Sequence, residues 1–310
     1  MTLEQILDDL KTDRIKKCIL DSDMYNEMDD QYALAYCLGC DKINLLSVNA
    51  APFDNGRTKD FESGMVASYG ETFRVLEVCH KNDGTIPVYE GSRVRYTPDN
   101  NYAPIDSPAA RNIIKTVKES DEIIYVLTTG CCSNVTSACL MDPSITDNMC
   151  VIWLGGHLLE NDNCKEFNLI QDYAAGQLLI NNDIPLILLP ACGPDSTKGT
   201  QALRCGFDEL CKLVGDENPQ KFFREAFPME FVHEEHMQDK LAEWRRVIWD
   251  IAAPGVISVP HAYTFSIVPA PIFGDDGKYG FDKTRHKIIY MERLDKDIVF
   301  ADTWASINSL

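Results

Sequence analysis

The sequence lacks long apolar runs and an excess of basic residues. None of its 310 residues belongs to an uninterrupted apolar stretch of the roughly 18 to 20 residues that a membrane-spanning helix needs. Lys and Arg number 29 against 48 Asp and Glu, which gives a formal net charge of −19. A surface of that sign repels nucleic-acid phosphates and anionic lipid. The sequence therefore predicts no nucleic-acid and no membrane partner, and is compatible with a neutral small molecule or a hard cation.

Targeting signals and disulfide frameworks are also missing. The N-terminus has no basic segment followed by an apolar segment and a small-residue cleavage site, so we expect a cytoplasmic protein. The 12 cysteines are scattered through apolar segments, which indicates buried, reduced thiols. The CxxC formed by Cys37 and Cys40 has no second CxxC to complete a zinc site, and its helical context favours packing in the core.

Glycine-rich phosphate loops are absent as well, since neither GxGxxG nor GxxxxGK(S/T) occurs. The chain instead alternates short Val/Ile/Leu runs with longer amphipathic stretches. Continuous apolar runs are typical of strands buried on both faces, and the alternation predicts an α/β fold with a mostly parallel central sheet flanked by helices. The predicted strands are KKCILDSD, INLLSVNAAPF, TIPVYEG, DEIIYVLTTG, MCVIWLGG and IPLILLP.

The chain shows no internal repeat and no linker rich in Pro, Gly and Ser, so we expect one domain over residues 1–310 with a Rossmann-like open sheet. The charged stretch 215–245 is predicted to be helical and to cap the site from the C-terminal half. Ligands of open parallel sheets bind beyond the carboxyl ends of the strands. The segments that follow the predicted strands are polar and rich in acids, which places a candidate site at that edge.

The segment DSDMYNEMDD, residues 21–30, is the most concentrated polar feature and follows the first predicted strand directly. Its four aspartates and one glutamate repel one another unless a cation neutralises them. Ligands made only of oxygen suit Ca²⁺ or Mg²⁺ and not zinc or copper. An acidic loop that opens a helix is the simpler explanation, but the position at the end of a buried strand favours a metal site.

Four segments resemble, in the same order, the signature motifs of the inosine–uridine-type nucleoside hydrolases. The first, DSDMYNEMDDQYAL, is similar to the motif DxDxGxDDxxAL, with two extra residues between the DxD and the DD. The others are LTTGCCSNVTSACL, similar to TGxLTNxAxAL, then KEFNLIQD, similar to the EFN motif, and VIWDIAA, similar to the late HD or WD segment. These motifs extend from residue 21 to residue 250, so the resemblance covers nearly the whole chain.

The resemblance implies hydrolysis of the N-glycosidic bond of ribonucleosides with a bound calcium ion. Matched residue by residue, the motifs imply a calcium shell of Asp23, Asp30, the Thr129 carbonyl and Asp250, completed by ribose hydroxyls and a water. Asp23 is also implied to be the base that deprotonates this water. Family members are commonly dimers or tetramers, so the resemblance further implies a homo-oligomer.

The same motifs imply the contacts to the sugar. Asp29 and Asn168 are assigned to the 2′- and 3′-hydroxyls, and Glu166 to the 5′-hydroxyl. An asparagine upstream of EFN is expected to assist at the 5′-hydroxyl. Glu160 falls at the usual offset, and Asn161 is favoured over Asn163 in the same loop. These contacts predict discrimination of ribose from 2′-deoxyribose, because a missing hydroxyl leaves buried polar groups unpaired.

One further ribose contact is expected in the loop after the second predicted strand. Asn49, Asp54 and Asn55 are the alternatives, and the sequence does not choose among them.

Trp249 stands before the late aspartate, where pyrimidine-accepting members have histidine. The resemblance is therefore to the branch in which a tryptophan stacks on a purine, a contact that contributes roughly 1 to 3 kcal/mol per base. Packing in the core is the alternative role for this side chain. An indole offers only an N–H donor, so the leaving base is either activated by stacking or protonated by solvent or another residue. The candidate donors are His157, His233 and His236.

Three other functions compete with nucleoside hydrolysis. A haloacid-dehalogenase-type phosphatase also has a DxD after its first strand, but it requires a small residue where Tyr25 stands, and its downstream motifs differ. A calcium-dependent nucleoside-binding protein agrees with the missing histidine and the longer loop, although the retention of Asp23 favours an enzyme. The nearest enzymatic alternative is hydrolysis of another N-riboside, such as nicotinamide riboside.

Overall fold

The computed structural model describes residues 1–226 and 245–310 of the chain. Segments rich in Val, Ile and Leu form strands at its centre, as continuous apolar runs predict. The strands are β1 Lys16–Ser22, β2 Ile43–Ala50, β3 Val88–Glu90, β4 Ile124–Thr128, β5 Met149–Leu154, β6 Leu186–Leu189, β7 Arg204–Gly206, β8 Arg245–Val247, β9 Tyr263–Pro269, β10 Ile272–Phe273, β11 Tyr279–Gly280 and β12 Lys287–Leu294.

Eight of these strands form one sheet in the order β3-β2-β1-β4-β5-β6-β12-β9. The six predicted strands are β1 to β6, and each pairs in parallel with its neighbours in the sheet. β12 extends the parallel array, and β9 adds an antiparallel edge. The predicted α/β fold with a mostly parallel sheet is therefore confirmed. The sequence analysis did not identify β9 and β12, because their apolar residues are interrupted by polar and charged ones.

Helices cover both faces of the sheet. They are α1 Leu3–Leu10, α2 Asp29–Gly39, α3 Phe61–Val78, α4 Pro108–Lys118, α5 Ser133–Met141, α6 Phe167–Gln171, α7 Tyr173–Asn181, α8 Phe207–Leu213, α9 Ala252–Ser258 and α10 Lys296–Asn308. A short 3₁₀ turn, Trp249–Ile251, precedes α9 and packs against α2. Within the described residues, no helix combines the length and hydropathy that a bilayer crossing requires.

Two hydrophobic layers lie on opposite faces of the sheet, because side chains alternate along each strand. In β4, Tyr125 and Leu127 join the layer that contains α2 and α10, whereas Ile124 and Val126 face α4 and α5. All four side chains are fully buried. Truncating a side chain such as Leu127 to alanine would cost about 2 to 5 kcal/mol of unfolding free energy.

The predicted cap, residues 215–245, falls mostly on residues 227–244, which lie outside the described part of the chain. His233 and His236 lie there too, so neither donor is placed by the structure. At the described start of this stretch, the buried Phe223 ring packs on Tyr32 of α2 with ring centroids 5.6 Å apart. The helical cap therefore stays a prediction.

Candidate active site and metal centre

A cavity of about 370 Å³ opens at the carboxyl ends of β1, β4, β5 and β6. This is the edge at which open parallel sheets bind ligands. Seven of the nine site residues expected from the sequence line it, and Asp30 lies directly behind its wall. The seven are Asp23, Asp29, Thr129, Glu166, Asn168, Trp249 and Asp250.

The acidic segment follows β1 and enters α2 without a capping side chain. Asp23 lies immediately beyond the strand, and Asp29 and Asp30 occupy the first turn of α2, where the helix dipole favours negative charge. The loop between them, which is two residues longer than the motif it resembles, is tied down by Gln31. Its amide nitrogen donates to the Met24 carbonyl at 2.9 Å. The longer loop thus still brings the two ends of the motif together.

The aspartates converge although they come from distant parts of the chain. Carboxylate oxygens of Asp29, Asp30 and Asp250 lie within 4.8 Å of one another, and all three residues are buried. Asp250 reaches the group from the 3₁₀ turn that packs against α2. Asp29, which the motifs assign to ribose binding, therefore lies in one cluster with Asp30 and Asp250, two of the expected metal ligands.

Few protein groups stabilise the charge of this cluster. Oδ1 of Asp30 accepts hydrogen bonds from the Ser22 hydroxyl and, at 3.0 Å, from the Thr129 hydroxyl. Oδ2 of Asp30 and both carboxylate oxygens of Asp23 are buried without a hydrogen-bond partner among the described residues. Among the residues that the structure describes, no Lys or Arg lines the cavity.

Burial is the first cause of raised pKa values in this cluster, and mutual repulsion is the second. Burial raises the pKa of Asp23, Asp29 and Asp250 well above the usual value, and repulsion from neighbouring carboxylates raises these pKa values further. Burial also raises the pKa of Asp30 to about 6, although hydrogen bonds from Ser22 and Thr129 oppose the shift. The cluster therefore requires either protons or a cation, and its oxygen donors suit a hard cation.

Thr129 is placed at the end of β4, next to β1. Its N–H donates to the Asp21 carbonyl at 2.8 Å, and its own carbonyl accepts the Asn168 amide nitrogen at 2.7 Å. A carbonyl oxygen has two lone pairs, so it can still bind a cation. The chain passes close to the acids here: a Cβ at Gly130 would lie 3.0 Å from Asp23 Oδ1, which favours glycine at this position.

Glu166 has a different environment from the aspartates. It caps the N-terminus of α6 and accepts the backbone N–H groups of Asn168 at 2.9 Å and Leu169 at 3.1 Å. A third N–H, from Gly156, lies 3.2 Å from Oε2. Burial raises the pKa of Glu166 to about 7 despite these three bonds. Its carboxylate is thus fixed in orientation at the wall of the cavity.

Trp249 lies between the hydrophobic layer and the cavity. One part of its half-buried side chain packs against the hydrophobic layer, and another part lines the cavity. Its backbone N–H faces the Asp29 carboxylate and opposes the rise in the pKa of that group. The indole therefore lies at the end of the cavity that holds the acidic cluster.

The structure places the other candidates unequally. Asn55 lines the cavity, whereas Asn49 is buried against Asn112, and the exposed Asp54 pairs with Arg95 at 3.4 Å. Of the three alternatives for the further ribose contact, Asn55 is thus the one at the cavity wall.

Asn161 and His157 differ in whether they reach the cavity. Asn161 is not among the residues that line the cavity, and its side-chain oxygen accepts the Asn163 N–H at 3.2 Å instead. His157 does line the cavity.

Several residues that line the cavity are not among the site residues predicted from the sequence. Asn26 and Glu27 come from the longer loop of the acidic segment, Phe167 from the EFN motif, and Cys192 from the segment that follows β6. The rule that sites lie beyond strand ends also points to Cys192, because this residue follows the predicted strand IPLILLP.

Comparison with known proteins identifies a family that the chain matches. A family model described as inosine-uridine preferring nucleoside hydrolase matches residues 18–266. The pyrimidine-specific ribonucleoside hydrolase RihB of Escherichia coli (strain SE11) is 26% identical over 208 residues, and the match spans 60% of this chain and 61% of RihB.

Solved structures share the fold across almost the whole chain. A plant nucleoside hydrolase superposes with a TM-score of 0.71 at 18% identity, over 95% of this chain and 99% of its own. A purine-preferring ribonucleoside hydrolase from Gardnerella vaginalis does so with a TM-score of 0.70 at 18% identity, over 94% and 98%. Because the family match runs from β1 into β9 and includes every aspartate of the cluster, the chain belongs to the inosine-uridine preferring nucleoside hydrolase family.

Proposed function

We propose that the protein hydrolyses the N-glycosidic bond of ribonucleosides in this cavity, with a calcium ion held by Asp23, Asp30, Asp250 and the Thr129 carbonyl. The observation that carries the proposal is the set of buried carboxylate oxygens on Asp23 and Asp30 that have no hydrogen-bond partner in the described part of the chain. Unpaired buried charge is costly, and a hard cation bound by oxygen atoms removes that cost.

When bound, the cation neutralises the cluster and lowers the pKa of a water molecule. The protein supplies the base. Asp23 accepts a proton from the attacking water, because both of its oxygens face the site without a competing donor. As the bond to the leaving base breaks, the sugar acquires oxocarbenium character, and the surrounding carboxylates stabilise this positive charge.

The ribose is held by polar groups that are already oriented. Asp29 accepts a hydrogen bond from a ribose hydroxyl beside the cluster. The amide nitrogen of Asn168 donates to the carbonyls of Thr129 and Leu154, so its Oδ1 is the atom left to accept from the second hydroxyl. Because these acceptors are buried, a 2′-deoxyribonucleoside would leave one of them unpaired. We expect ribonucleosides to be preferred strongly.

Trp249 supports a preference for purines. The indole lines the cavity beside the acidic cluster, where the bond to the base is broken, and a purine offers the larger surface for stacking. One relative is named pyrimidine-specific and another purine-preferring, so the relatives do not decide the base. The proposed purine preference therefore rests on the position of Trp249 alone. Trp249→Leu should lower the ratio of inosine to uridine hydrolysis by about tenfold, since stacking contributes roughly 1 to 3 kcal/mol.

The test is ribose release from inosine, adenosine, guanosine, uridine and cytidine, with and without removal of calcium by a chelator. Asp23→Ala is assayed beside the wild type. Calcium-dependent release that is lost in the variant would support the mechanism. Faster ribose release from uridine than from inosine would support the hydrolase activity and contradict the proposed stacking of purines on Trp249. Tight calcium binding with no release from any nucleoside would favour a binding protein or another N-riboside as substrate.

A homo-oligomeric state, a single domain over residues 1–310 and a cytoplasmic location stay predictions. The alternative phosphatase function is wrong. The nucleoside hydrolase family match covers residues 18–266, which include the segments that do not fit a phosphatase.

A further inference from the structure

The cavity has a second end that is remote from the acidic cluster. His157 follows β5 and Cys192 follows β6, and both line this end together with Glu166. In the sheet, β4 lies between β1 and β5, so the two ends are separated by two or more strand spacings, roughly 10 Å or more. A nucleoside whose base lies on Trp249, beside the cluster, therefore presents the far end of its sugar to His157.

Two contacts orient His157. Its carbonyl accepts the Tyr279 hydroxyl at 2.5 Å, and its ring Nδ1 accepts the Cys192 N–H at 3.4 Å. Because Nδ1 is the acceptor, the proton of the neutral ring is on Nε2. Burial lowers the pKa of His157, which favours this neutral form. Among the described residues, Nε2 has no hydrogen-bond partner, so it is a donor available to a ligand in the cavity.

Glu166 provides an acceptor next to this donor. Its Oε2 binds the Gly156 N–H, and His157 is the following residue. Gly156 has a φ of 71°, and a Cβ there would lie 2.6 Å from the Tyr279 hydroxyl, so the turn that presents His157 requires glycine. A hydroxyl group accepts one hydrogen bond and donates another, so it satisfies this pair. A phosphate group would instead face the Glu166 carboxylate.

We infer that His157 binds the 5′-hydroxyl of the ribose, donating from Nε2 while the hydroxyl donates to Glu166. This inference rests on the proposed function and names a specificity residue within it. It gives His157 the contact that the sequence assigned to Asn161, whose side chain is engaged with its own loop. It also removes His157 from the candidate donors to the leaving base, because the two groups lie at opposite sides of the sugar.

The test compares inosine with 5′-deoxyinosine in the full-length protein with calcium present, by the kcat/KM for hypoxanthine release. His157→Ala should lose about tenfold in kcat/KM on inosine, as expected for a buried hydrogen bond, and less than about twofold on 5′-deoxyinosine. His157→Gln retains an N–H donor and should recover most of the loss. His261→Ala is the matched control, because His261 is exposed and does not line this cavity.

Two results would overturn the inference. An equal loss on both substrates would show that His157 does not sense the 5′-hydroxyl, and a loss on inosine that disappears with the p-nitrophenyl riboside would assign it to the leaving group. In either case the wild type still hydrolyses inosine, so the proposed function survives. Absence of hydrolysis by the wild type, in contrast, would overturn both.

Discussion

The buried carboxylates of this protein form two groups that differ in how their charge is stabilised. Glu166 and Asp172 stand at the starts of α6 and α7 and accept backbone N–H groups. Asp172 also accepts the Ser133 hydroxyl at 2.6 Å and the Tyr96 N–H at 3.2 Å. Asp23 and Asp30 are as deeply buried, yet three of their four oxygens have no partner among the described residues.

This difference separates acids that stabilise the fold from acids that require a ligand. A carboxylate that caps a helix contributes to stability through hydrogen bonds that exist in the free protein. A buried carboxylate without such bonds lowers stability until a proton or a cation neutralises it. The acidic cluster should therefore respond to mutation and to calcium in the opposite way from the helix caps.

The largest effect is expected on metal binding. Asp30→Asn should weaken calcium binding by at least about a hundredfold, because it removes one charged oxygen ligand from the site. Calorimetric titration with calcium measures the affinity. Asp172→Asn, at the helix cap, is the matched control and should bind calcium like the wild type. Equal affinity in wild type and Asp30→Asn would place the ion elsewhere.

A smaller loss is expected in stability at the helix cap. Asp172→Ala should lower the free energy of unfolding by about 2 kcal/mol, because it removes the cap of α7 and leaves buried donors unpaired. Urea unfolding in the presence of a chelator measures this loss. The loss should be the same with calcium added, and a loss that calcium abolishes would join Asp172 to the metal site.

The opposite sign is expected at the cluster. In the calcium-free protein, Asp30→Asn should raise the free energy of unfolding by about 1 kcal/mol, since the amide keeps an acceptor for Ser22 and Thr129 and turns the unpartnered oxygen into a donor. The same urea titration compares it with the wild type. A less stable variant would contradict the argument that the unpartnered carboxylate of Asp30 lowers stability.

A dependence of stability on pH is also expected. Burial raises the pKa of Asp21 and Glu166 to about 7 and that of Asp30 and Asp172 to about 6. Their unfolded values are about 4, so between pH 4 and pH 7 the folded protein binds more protons than the unfolded chain. Stability therefore falls as pH rises through this window. The melting temperature of the calcium-free protein should be lower at pH 8 than at pH 5.5.

Added calcium should reduce this difference, because it replaces protons at Asp30. A calcium-free protein that is more stable at pH 8 would contradict the raised pKa values.

The sequence by itself determined the parallel core of the sheet and the position of the acidic segment. Strands β4, β5 and β6 are nearly continuous apolar runs, and such runs show in any short window of sequence. The acids of residues 21–30 follow the first of these runs, and the carboxyl-end rule then places them at the site. Both features depend on local order along the chain, which is why they were predictable.

Only the tertiary structure decided which neighbouring residue reaches the cavity. Asn161 and His157 lie in the same segment, yet the turn at Gly156 directs His157 into the cavity, and Asn161 binds within its own loop. Asp250 likewise joins Asp29 and Asp30 only because the turn that carries it packs on α2. Such contacts depend on strand order and on side-chain direction, and no local pattern in the sequence encodes either of them.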